Sequence, residues 1–272
     1  MQCILTALKA ESDPLIDHFN LKKEKGFNYP VFSNNDIFLI GVGIGKHNIK
    51  NRINYFMSFI GDVQVQFINI GIAGAKKNNA ELGELYCIHK IIDDSLNKSF
   101  FPDMLINFSS EERALTTVDK EVNDGGCRYN TLVDMEASEI FKVCSKLVPL
   151  QNLLFIKIVS DFMSFSSGRL EYGQIVEFVK NRIDIIEKYL NDFRTLMNIN
   201  NPILTIDDQN WIQLLVKTLL LTKTQNLNFI KIMKGYRLRN PGISFPDLNI
   251  SRPTSKAHRN KVYEKICEKF II

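Results

Sequence analysis

Residues 63–74 read Val-Gln-Val-Gln-Phe-Ile-Asn-Ile-Gly-Ile-Ala-Gly, an apolar run that closes in a glycine-rich turn. A short apolar run that ends at glycine is typical of a buried strand leaving the carboxyl edge of a sheet. Residues 38–42 form a similar run, which leads into Gly41-Val42-Gly43-Ile44-Gly45. Between the two runs, residues 47–60 have apolar side chains at helical spacing. This part of the chain therefore predicts strand, helix and strand in succession.

The same alternation extends over the first 196 residues. Further strands are predicted at 2–8, 85–92 and 153–159, and helices at 134–146 and 173–196. Such alternation favours an α/β fold in which a layered, mostly parallel sheet has helices on its faces. Ligands of these sheets bind beyond the carboxyl ends of the strands. We therefore expect four residues to gather there: Gly43, Gly71, Glu136 and Asp161.

The composition of the 272 residues is that of a globular protein. With 45% hydrophobic and 24% charged residues, neither disorder nor a fibrous repeat is favoured. No apolar run approaches the ~20 residues that span a bilayer, and the N-terminus lacks the basic segment of a signal peptide, so a cytoplasmic location is predicted. The five cysteines have no zinc-site spacing and the four histidines are isolated. No metal and no cofactor are predicted.

The C-terminal part of the chain differs in charge from the rest. Residues 197–272 contain twelve Lys and Arg against five Asp and Glu, a net charge of +7, whereas residues 1–196 carry −3. A linker-like stretch at 198–202 precedes helices predicted at 208–221 and 257–270, with a loop around Asn240-Pro241-Gly242. We therefore predict an α/β domain over 1–196 and a small, basic, mainly helical extension over 197–272.

Four motifs carry a resemblance to a known family. They are Thr6-Ala7-Leu8-Lys9-Ala10-Glu11, the turn Asn69-Ile70-Gly71-Ile72-Ala73-Gly74, Val-Asp-Met-Glu-Ala-Ser at 133–138 and Ile-Val-Ser-Asp at 158–161. In this order and at these distances they resemble the purine-nucleoside phosphorylase and nucleosidase superfamily. The closest resemblance is to its methylthioadenosine/S-adenosylhomocysteine nucleosidase branch. It covers about residues 1–195, and it implies a nucleoside phosphorylase-like fold and an enzyme that cuts the bond between a purine and ribose.

The resemblance implies a role for each of three acids. Asp161 matches the acid that protonates the departing base, with Ser160 as its orienting neighbour, and general-acid catalysis suits a poor leaving group. Glu136 matches the glutamate that binds the ribose hydroxyls, and Met135 lies against the sugar. Glu11 matches the glutamate that activates the hydrolytic water. The backbone of the glycine turns is expected to approach the substrate closely at Gly71, Ile72, Ala73 and Gly43.

Each motif also has a purely structural interpretation. An aspartate after a strand is commonly a turn or cap residue, a glutamate in the first turn of a helix favours the helix dipole, and Glu11 before Pro14 fits a helix N-terminus. Two positions depart from the nucleosidase pattern, since Ile72 differs from the methylthioadenosine enzymes and Lys157 stands where an arginine is common. Tyr129 is a candidate for packing against the base. A non-catalytic nucleoside-binding module therefore stays open as an alternative.

Water is favoured over phosphate as the second reactant. Phosphorylases of the superfamily hold phosphate with arginines and with a hydroxyl residue in the central glycine loop, whereas this chain has Lys46, His47 and Ile72. A carboxylate at Glu11 would also repel phosphate. Futalosine hydrolases share a similar glycine loop but usually carry asparagine at the position of Asp161. An aspartate suits adenine, so the prediction is hydrolysis of an adenine nucleoside, with a phosphorylase and a futalosine-type hydrolase as alternatives.

The expected partners are a small purine nucleoside and further copies of the chain. Superfamily members usually form dimers or trimers in which a neighbouring chain closes the site, and residues 100–102 (Phe-Phe-Pro) fit such a lid. The basic extension has arginines and lysines interleaved with aromatic residues, which is compatible with nucleic-acid contact. We favour a solvated face that packs on the core or on a neighbouring subunit, because no nucleic-acid motif is present. No membrane contact is predicted.

Overall fold

The chain folds into two compact units, Met1–Thr195 and Leu196–Ile272, which we call unit 1 and unit 2. The computed structural model describes residues 1–61, 63–164, 171–199, 203–240, 243, 245–246 and 252–271. Residues 200–202 of the predicted linker and Pro241-Gly242 of the predicted loop lie outside these ranges.

Unit 1 has the α/β architecture that the sequence predicts. Its strands are β1 (Gln2–Thr6), β2 (Lys22–Lys23), β3 (Val31–Ser33), β4 (Ile37–Gly41), β5 (Gln66–Gly74), β6 (Leu85–Asp93), β7 (Lys98–Phe100), β8 (Glu112–Thr117), β9 (Leu132–Asp134) and β10 (Leu153–Asp161). Its helices are α1 (Lys9–His18), α2 (Ile49–Ile60), α3 (Ala137–Cys144), α4 (Tyr172–Lys180) and α5 (Ile183–Ile199), which ends just beyond the unit, and a short 3₁₀ turn covers Leu150–Asn152. The short strands β2, β3, β7, β8 and β9 are not apparent from the hydrophobic pattern.

The strands form one sheet in the order β10-β6-β8-β9-β5-β1-β4-β3-β2. β10 also pairs with β5, so that β5, β10, β6, β8 and β9 close into a ring. β1 pairs in parallel with β4 and β5, and β10 pairs in parallel with β5. β6, however, is antiparallel to β10, because residues 75–84 join β5 to β6 without a helix, and a parallel connection needs a long crossover. The sheet is mixed, whereas the sequence predicts a mostly parallel one.

The helix predicted at 173–196 is two helices. α4 ends at Lys180, and α5 begins at Ile183. At the end of α4 the Asn181 N–H donates to the Glu177 carbonyl and the Arg182 N–H to the Val179 carbonyl. Between the two helices, Arg182 Nε donates to the Gly83 carbonyl at 2.7 Å. This tertiary hydrogen bond fixes the break in a segment whose apolar spacing continues through it.

The core of unit 1 is formed by the strands that the sequence marks as apolar. β5 and β10 are almost wholly buried, and α2 and α3 each contribute one apolar face. Phe100 packs on Phe141 with ring centroids 5.1 Å apart, whereas Phe101 is exposed. Of the predicted lid segment, Phe100 is therefore partly buried and packs against the core.

Unit 2 contains the helices α6 (Ile206–Leu219), α7 (Lys223–Arg239) and α8 (Lys256–Ile271). Side-chain caps start two of them, since Thr205 Oγ1 accepts the Asp208 N–H and Thr222 Oγ1 accepts the Gln225 N–H. α7 was not predicted, because its apolar positions are separated by lysines and asparagines. The buried side chains form one core: Leu204, Ile212, Leu215, Leu219, Phe229, Met233, Ile266, Cys267 and Phe270. None of the helices in the described ranges is long and apolar enough to span a bilayer.

Candidate active site

Glu11 lies in the first turn of α1, directly after β1. Its Oε2 accepts the N–H groups of Ala7 (2.7 Å) and Leu8 (2.9 Å), so the carboxylate caps the helix. Its Oε1 accepts the N–H of Ile72 at 2.9 Å, in the glycine turn. The side chain is only 2% exposed, and burial raises the pKa of Glu11 against the effect of these hydrogen bonds and of Lys157. The same carboxylate therefore connects the start of α1 to the glycine turn of β5 by hydrogen bonds.

Gly71 is the point where Glu11 meets Lys157. A Cβ atom at Gly71 would lie 3.1 Å from Glu11 Oε1 and 3.3 Å from Lys157 Nζ. A side chain at this position would crowd both charged groups, so glycine allows the Glu11 carboxylate and the Lys157 ammonium group to lie close to the same point of the backbone. Gly71 is paired with Lys157 in the β5–β10 register, which places the ammonium group beside the turn.

Lys157 is a fully buried cation in the middle of β10. It is 2% exposed, and its Nζ lies 2.9 Å from Oδ2 of Asp134. Burial disfavours the charged ammonium, but the carboxylates of Asp134, Glu136 and Glu11 outweigh this and raise the pKa of Lys157. The lysine is therefore charged, and it faces three acidic side chains.

Asp134 and Glu136 extend this cluster where β9 gives way to α3. Asp134 accepts hydrogen bonds from Thr117 Oγ1 (2.7 Å) and from the N–H of Ala137 (2.9 Å), the first residue of α3. Glu136 Oε1 accepts the N–H of Gly45 at 2.7 Å. Burial, and then the charge of Asp134, raise the pKa of Glu136 to about 7. At neutral pH this carboxyl group is therefore present in both its neutral and its ionised form.

Asp161 occupies the end of β10. Its Oδ2 accepts the hydroxyl hydrogen bond of Ser160 (2.7 Å), and its Oδ1 accepts the N–H of Met163 (2.7 Å). Ser160 Oγ also lies 3.3 Å from the Ala73 carbonyl oxygen. A Cβ atom at Gly74 would lie 3.2 Å from Asp161 Oδ1 and 2.6 Å from Met163 Cγ, so a larger residue there would force the Met163 side chain to shift. The aspartate is half-buried and held from both oxygens.

An apolar cluster lies next to Asp161. Met163 is buried with a left-handed φ of 52°, and a Cβ atom at Gly126 would lie only 2.1 Å from its Cε. Tyr129 and Met135 pack with Met163 in this cluster, which also contains Val118, Val122 and Val133. Met135 and Tyr129, the residues that the sequence suggests for contacts to sugar and base, therefore share one apolar surface.

The structure brings most of the predicted site residues to one end of β5. Glu11 lies beside Gly71 and Ile72, whereas Asp161 lies beside Gly74, three residues or roughly 10 Å further along the strand. Gly43, with a φ of 82°, is set against Arg52, where a Cβ atom would lie 3.2 Å from Nη1. The contact from this turn to Glu136 comes from Gly45 instead.

Sequence reasoning gave no role to several residues of this region: Asp134, Lys157, Gly45 and Met163. A signal existed for Lys157, because a lysine inside the apolar run 153–159 requires a buried carboxylate partner. The partner Asp134 stands within the quoted motif but was assigned nothing. Gly45 and Met163 could not be found this way, since their contacts depend on the backbone path of two turns.

Solved structures of similar fold include several methylthioadenosine and methylthioadenosine/S-adenosylhomocysteine nucleosidases. A methylthioadenosine/S-adenosylhomocysteine nucleosidase (MTAN) variant from Chlamydia trachomatis, bound to MTA, has a TM-score of 0.58 and 19% identity, and the match covers 71% of this chain and 98% of that one. The Arabidopsis thaliana 5′-methylthioadenosine nucleosidase has a TM-score of 0.57 and 17% identity (71% and 95% covered). The Streptococcus pneumoniae enzyme with a transition-state inhibitor has a TM-score of 0.58 and 18% identity (71% and 99%).

These likenesses confirm the predicted nucleoside phosphorylase-like fold. No protein-family model and no curated protein matches the chain by sequence.

Proposed function

We propose that the protein is a purine nucleosidase that hydrolyses the N-glycosidic bond of an adenine nucleoside such as methylthioadenosine or S-adenosylhomocysteine. The observation that carries the proposal is the placement of two acids along one strand. Glu11 with Lys157 lies beside Gly71, and Asp161 lies beside Gly74. A nucleoside between them would present its base to one acid and its anomeric carbon to the other.

Asp161 is assigned the leaving-group side of the reaction. As the bond between C1′ and the base nitrogen N9 breaks, its electron pair leaves with the base, and a proton from Asp161 goes to N7. The Ser160 hydroxyl and the Met163 N–H fix the position of the carboxyl group. Such fixation supports catalysis because a misplaced acid loses much of its effect.

Glu11 is assigned the water side. Water forms the new bond to C1′ and gives its proton to Glu11, so the products are the free base and the free sugar. Glu11 Oε1 accepts one N–H, from Ile72, and a carboxylate oxygen has a second lone pair for water. Lys157 beside it balances the carboxylate charge. Glu136, whose pKa is raised to about 7, is assigned the binding of the ribose hydroxyls.

Three features support hydrolysis over phosphorolysis. The side chain of Ile72 offers no donor to a phosphate oxygen. Lys46, the cation after the first glycine turn, has its Nζ 2.7 Å from Asp119 and 3.3 Å from Asp93, so its charge is already matched within the protein. The Glu11 carboxylate would in addition repel phosphate.

The test is a release assay for free base. The protein is incubated with methylthioadenosine, S-adenosylhomocysteine, adenosine, inosine and futalosine, with and without phosphate, and the products are separated by chromatography. Adenine release without phosphate, abolished in Asp161→Asn and kept in Asp36→Asn, is the expected result. Asp36 is a suitable control because its carboxylate is 70% exposed.

Three outcomes would contradict the proposal in different ways. A strict need for phosphate would make the protein a phosphorylase. Full activity in Asp161→Asn would show that the assigned acid is wrong. Nucleoside binding without release of any base would identify a binding module.

A further inference from the structure

Asp93, at the end of β6, has a carboxylate that contacts five other groups in the described part of unit 1. Its side chain is wholly buried. Oδ1 accepts hydrogen bonds from Ser95 Oγ (2.7 Å) and from the N–H of Leu96 (3.2 Å), which fix it within its own turn. The remaining contacts of both oxygens reach two other segments of the chain.

The first segment is the glycine turn before α2. Lys46 Nζ lies 3.3 Å from Asp93 Oδ1. Lys46 directly follows Gly45, whose N–H donates to Glu136 Oε1 at 2.7 Å. Gly45 has a left-handed φ of 73°, so this turn is set by its contacts and not by a regular element. Asp93 therefore holds Lys46, the residue next to Gly45, whose N–H donates a hydrogen bond to Glu136.

The second segment is the start of α3. Ser138 Oγ donates to Asp93 Oδ2 at 2.8 Å, and Lys142 Nζ lies 3.2 Å from the same oxygen. Ser138 is two residues after Glu136, which is the N-cap of the helix. Although burial opposes ionisation, the hydrogen bonds and the Lys46 charge keep the pKa of Asp93 well below its usual range. The two lysines thus meet a permanent charge.

We propose that Asp93 is a positioning residue that holds the Gly45 turn and the start of α3 in register, so that Glu136 is presented to the ribose. It makes no contact with Glu136, and its effect is transmitted by Lys46 on one side and by Ser138 on the other. This inference rests on the proposed function, since Glu136 there binds the ribose hydroxyls.

The test compares methylthioadenosine with its 3′-deoxy analogue in wild type and Asp93→Asn. The 3′-hydroxyl is chosen because it is farther from the reacting carbon than the 2′-hydroxyl. If Asp93 acts through Glu136, Asp93→Asn lowers kcat/KM for methylthioadenosine at least tenfold and changes kcat/KM for the analogue little. An equal loss for both nucleosides would overturn the proposal, because general damage does not discriminate between them.

A matched control is Asp119→Asn. Asp119 also contacts Lys46, at 2.7 Å, but its side chain is 58% exposed and, among the described residues, makes no hydrogen bond or ion pair with α3. It should keep the wild-type preference for the 3′-hydroxyl. Ser138→Ala removes the hydrogen bond from α3 to Asp93 but keeps the Lys46 contact, with little change in volume. It should therefore reduce the preference for the 3′-hydroxyl less than Asp93→Asn does. The proposal would be contradicted if Asp119→Asn lost the preference for the 3′-hydroxyl. It would also be contradicted if Ser138→Ala and Asp93→Asn both kept the full wild-type preference.

A second readout needs no turnover. The Gly45 amide resonance should follow the titration of Glu136 in wild type, because the N–H donates to this carboxylate. In folded Asp93→Asn that resonance should shift and lose its titration, whereas in Asp119→Asn it should not. An unchanged Gly45 amide would overturn the positioning role, even if wild type cleaves no nucleoside and the proposed function itself has failed.

Discussion

Each unit of the protein contains a buried pair of opposite charges, and the two pairs differ in their surroundings. In unit 2, Arg237 contacts both carboxylate oxygens of Asp208, with Nε 2.9 Å from Oδ2. Asp208 Oδ2 also accepts the Thr205 N–H at 2.9 Å, and Arg237 Nη1 donates to the Ile243 carbonyl at 2.6 Å. One cation meets one anion, and both are fully engaged in capping α6 and fixing the chain around it.

In unit 1, the single cation Lys157 meets three carboxyl groups, those of Asp134, Glu136 and Glu11. The pKa of Glu136 is raised to about 7 and that of Glu11 is raised by burial, so the cluster is short of positive charge. A balanced pair stabilises a fold, whereas an unbalanced cluster keeps protons that can move, as catalytic sites require. The difference separates the structural ion pair from the candidate active site.

The largest expected effect is on catalysis. Glu11→Gln should lower kcat for nucleoside hydrolysis about 10²–10⁴-fold, since an amide cannot take the proton of water. Steady-state kinetics measures this, and circular dichroism checks that the fold is kept. Glu187→Gln on α5 is the matched control, because that carboxylate is half-exposed and bonds only to His18 in the described structure. A Glu11→Gln variant with wild-type kcat would place the water elsewhere.

The next effect is on stability. Lys157→Met fills a similar volume but leaves three carboxyl groups without a cation, and should reduce the free energy of unfolding by about 3–5 kcal/mol at pH 8. The loss should shrink as the pH falls to 5, because the carboxyl groups then bind protons. Urea unfolding at both pH values measures it, with the exposed Lys188→Met as the control. A loss that does not depend on pH would mean that the cluster is not short of positive charge.

A third effect concerns the proton on Glu136. Its pKa is about 7 in the folded protein against an ordinary value of 4.5, so the folded state binds the proton more tightly. The resulting stability is fully present below pH 4.5 and is lost as the pH rises through 7. It amounts to about 3 kcal/mol at most. Glu136→Gln should lack this loss, so its stability relative to wild type should rise between pH 5 and 8.

Parallel pH profiles for wild type and Glu136→Gln would contradict this assignment of the proton. The comparison uses the difference between the two proteins, because groups outside the cluster contribute equally to both profiles. It is independent of any nucleoside, so it tests the electrostatics of the cluster and not the proposed reaction.

The smallest expected effect is on the balanced pair. Arg237→Met leaves Asp208 without its cation but with the Thr205 N–H, and should cost about 2 kcal/mol of unfolding free energy. Burial raises the pKa of Asp208, but the hydrogen bonds from Arg237 and Thr205 outweigh it and lower that pKa in wild type. The stability that the pair contributes is therefore fully present between pH 5 and 8, and its loss should depend less on pH than the loss in Lys157→Met. The exposed Lys231→Met serves as the control. A change in kcat would show that unit 2 contributes to the reaction.

Much of the fold follows from apolar runs that end at glycine. The predicted strands at 2–8, 38–42, 85–92 and 153–159 each overlap an observed strand, with ends that differ by one or two residues. The errors lie where the pattern carries no information. The break between α4 and α5 depends on the Arg182 hydrogen bond to Gly83, and α7 gains its helical order from packing in unit 2.

The sequence by itself determined the alternation of strands and helices, the resemblance to nucleosidases, and which acids follow which strands. These are local properties, since periodicity and motif order are read along the chain. The tertiary structure alone decided that β6 runs antiparallel to β10, that Glu11 reaches across to Ile72, and that Lys157 faces three carboxyl groups. Those outcomes depend on distances between residues that are far apart in sequence. The same long-range packing buries Glu11 and Glu136, and this burial raises the pKa of both carboxyl groups.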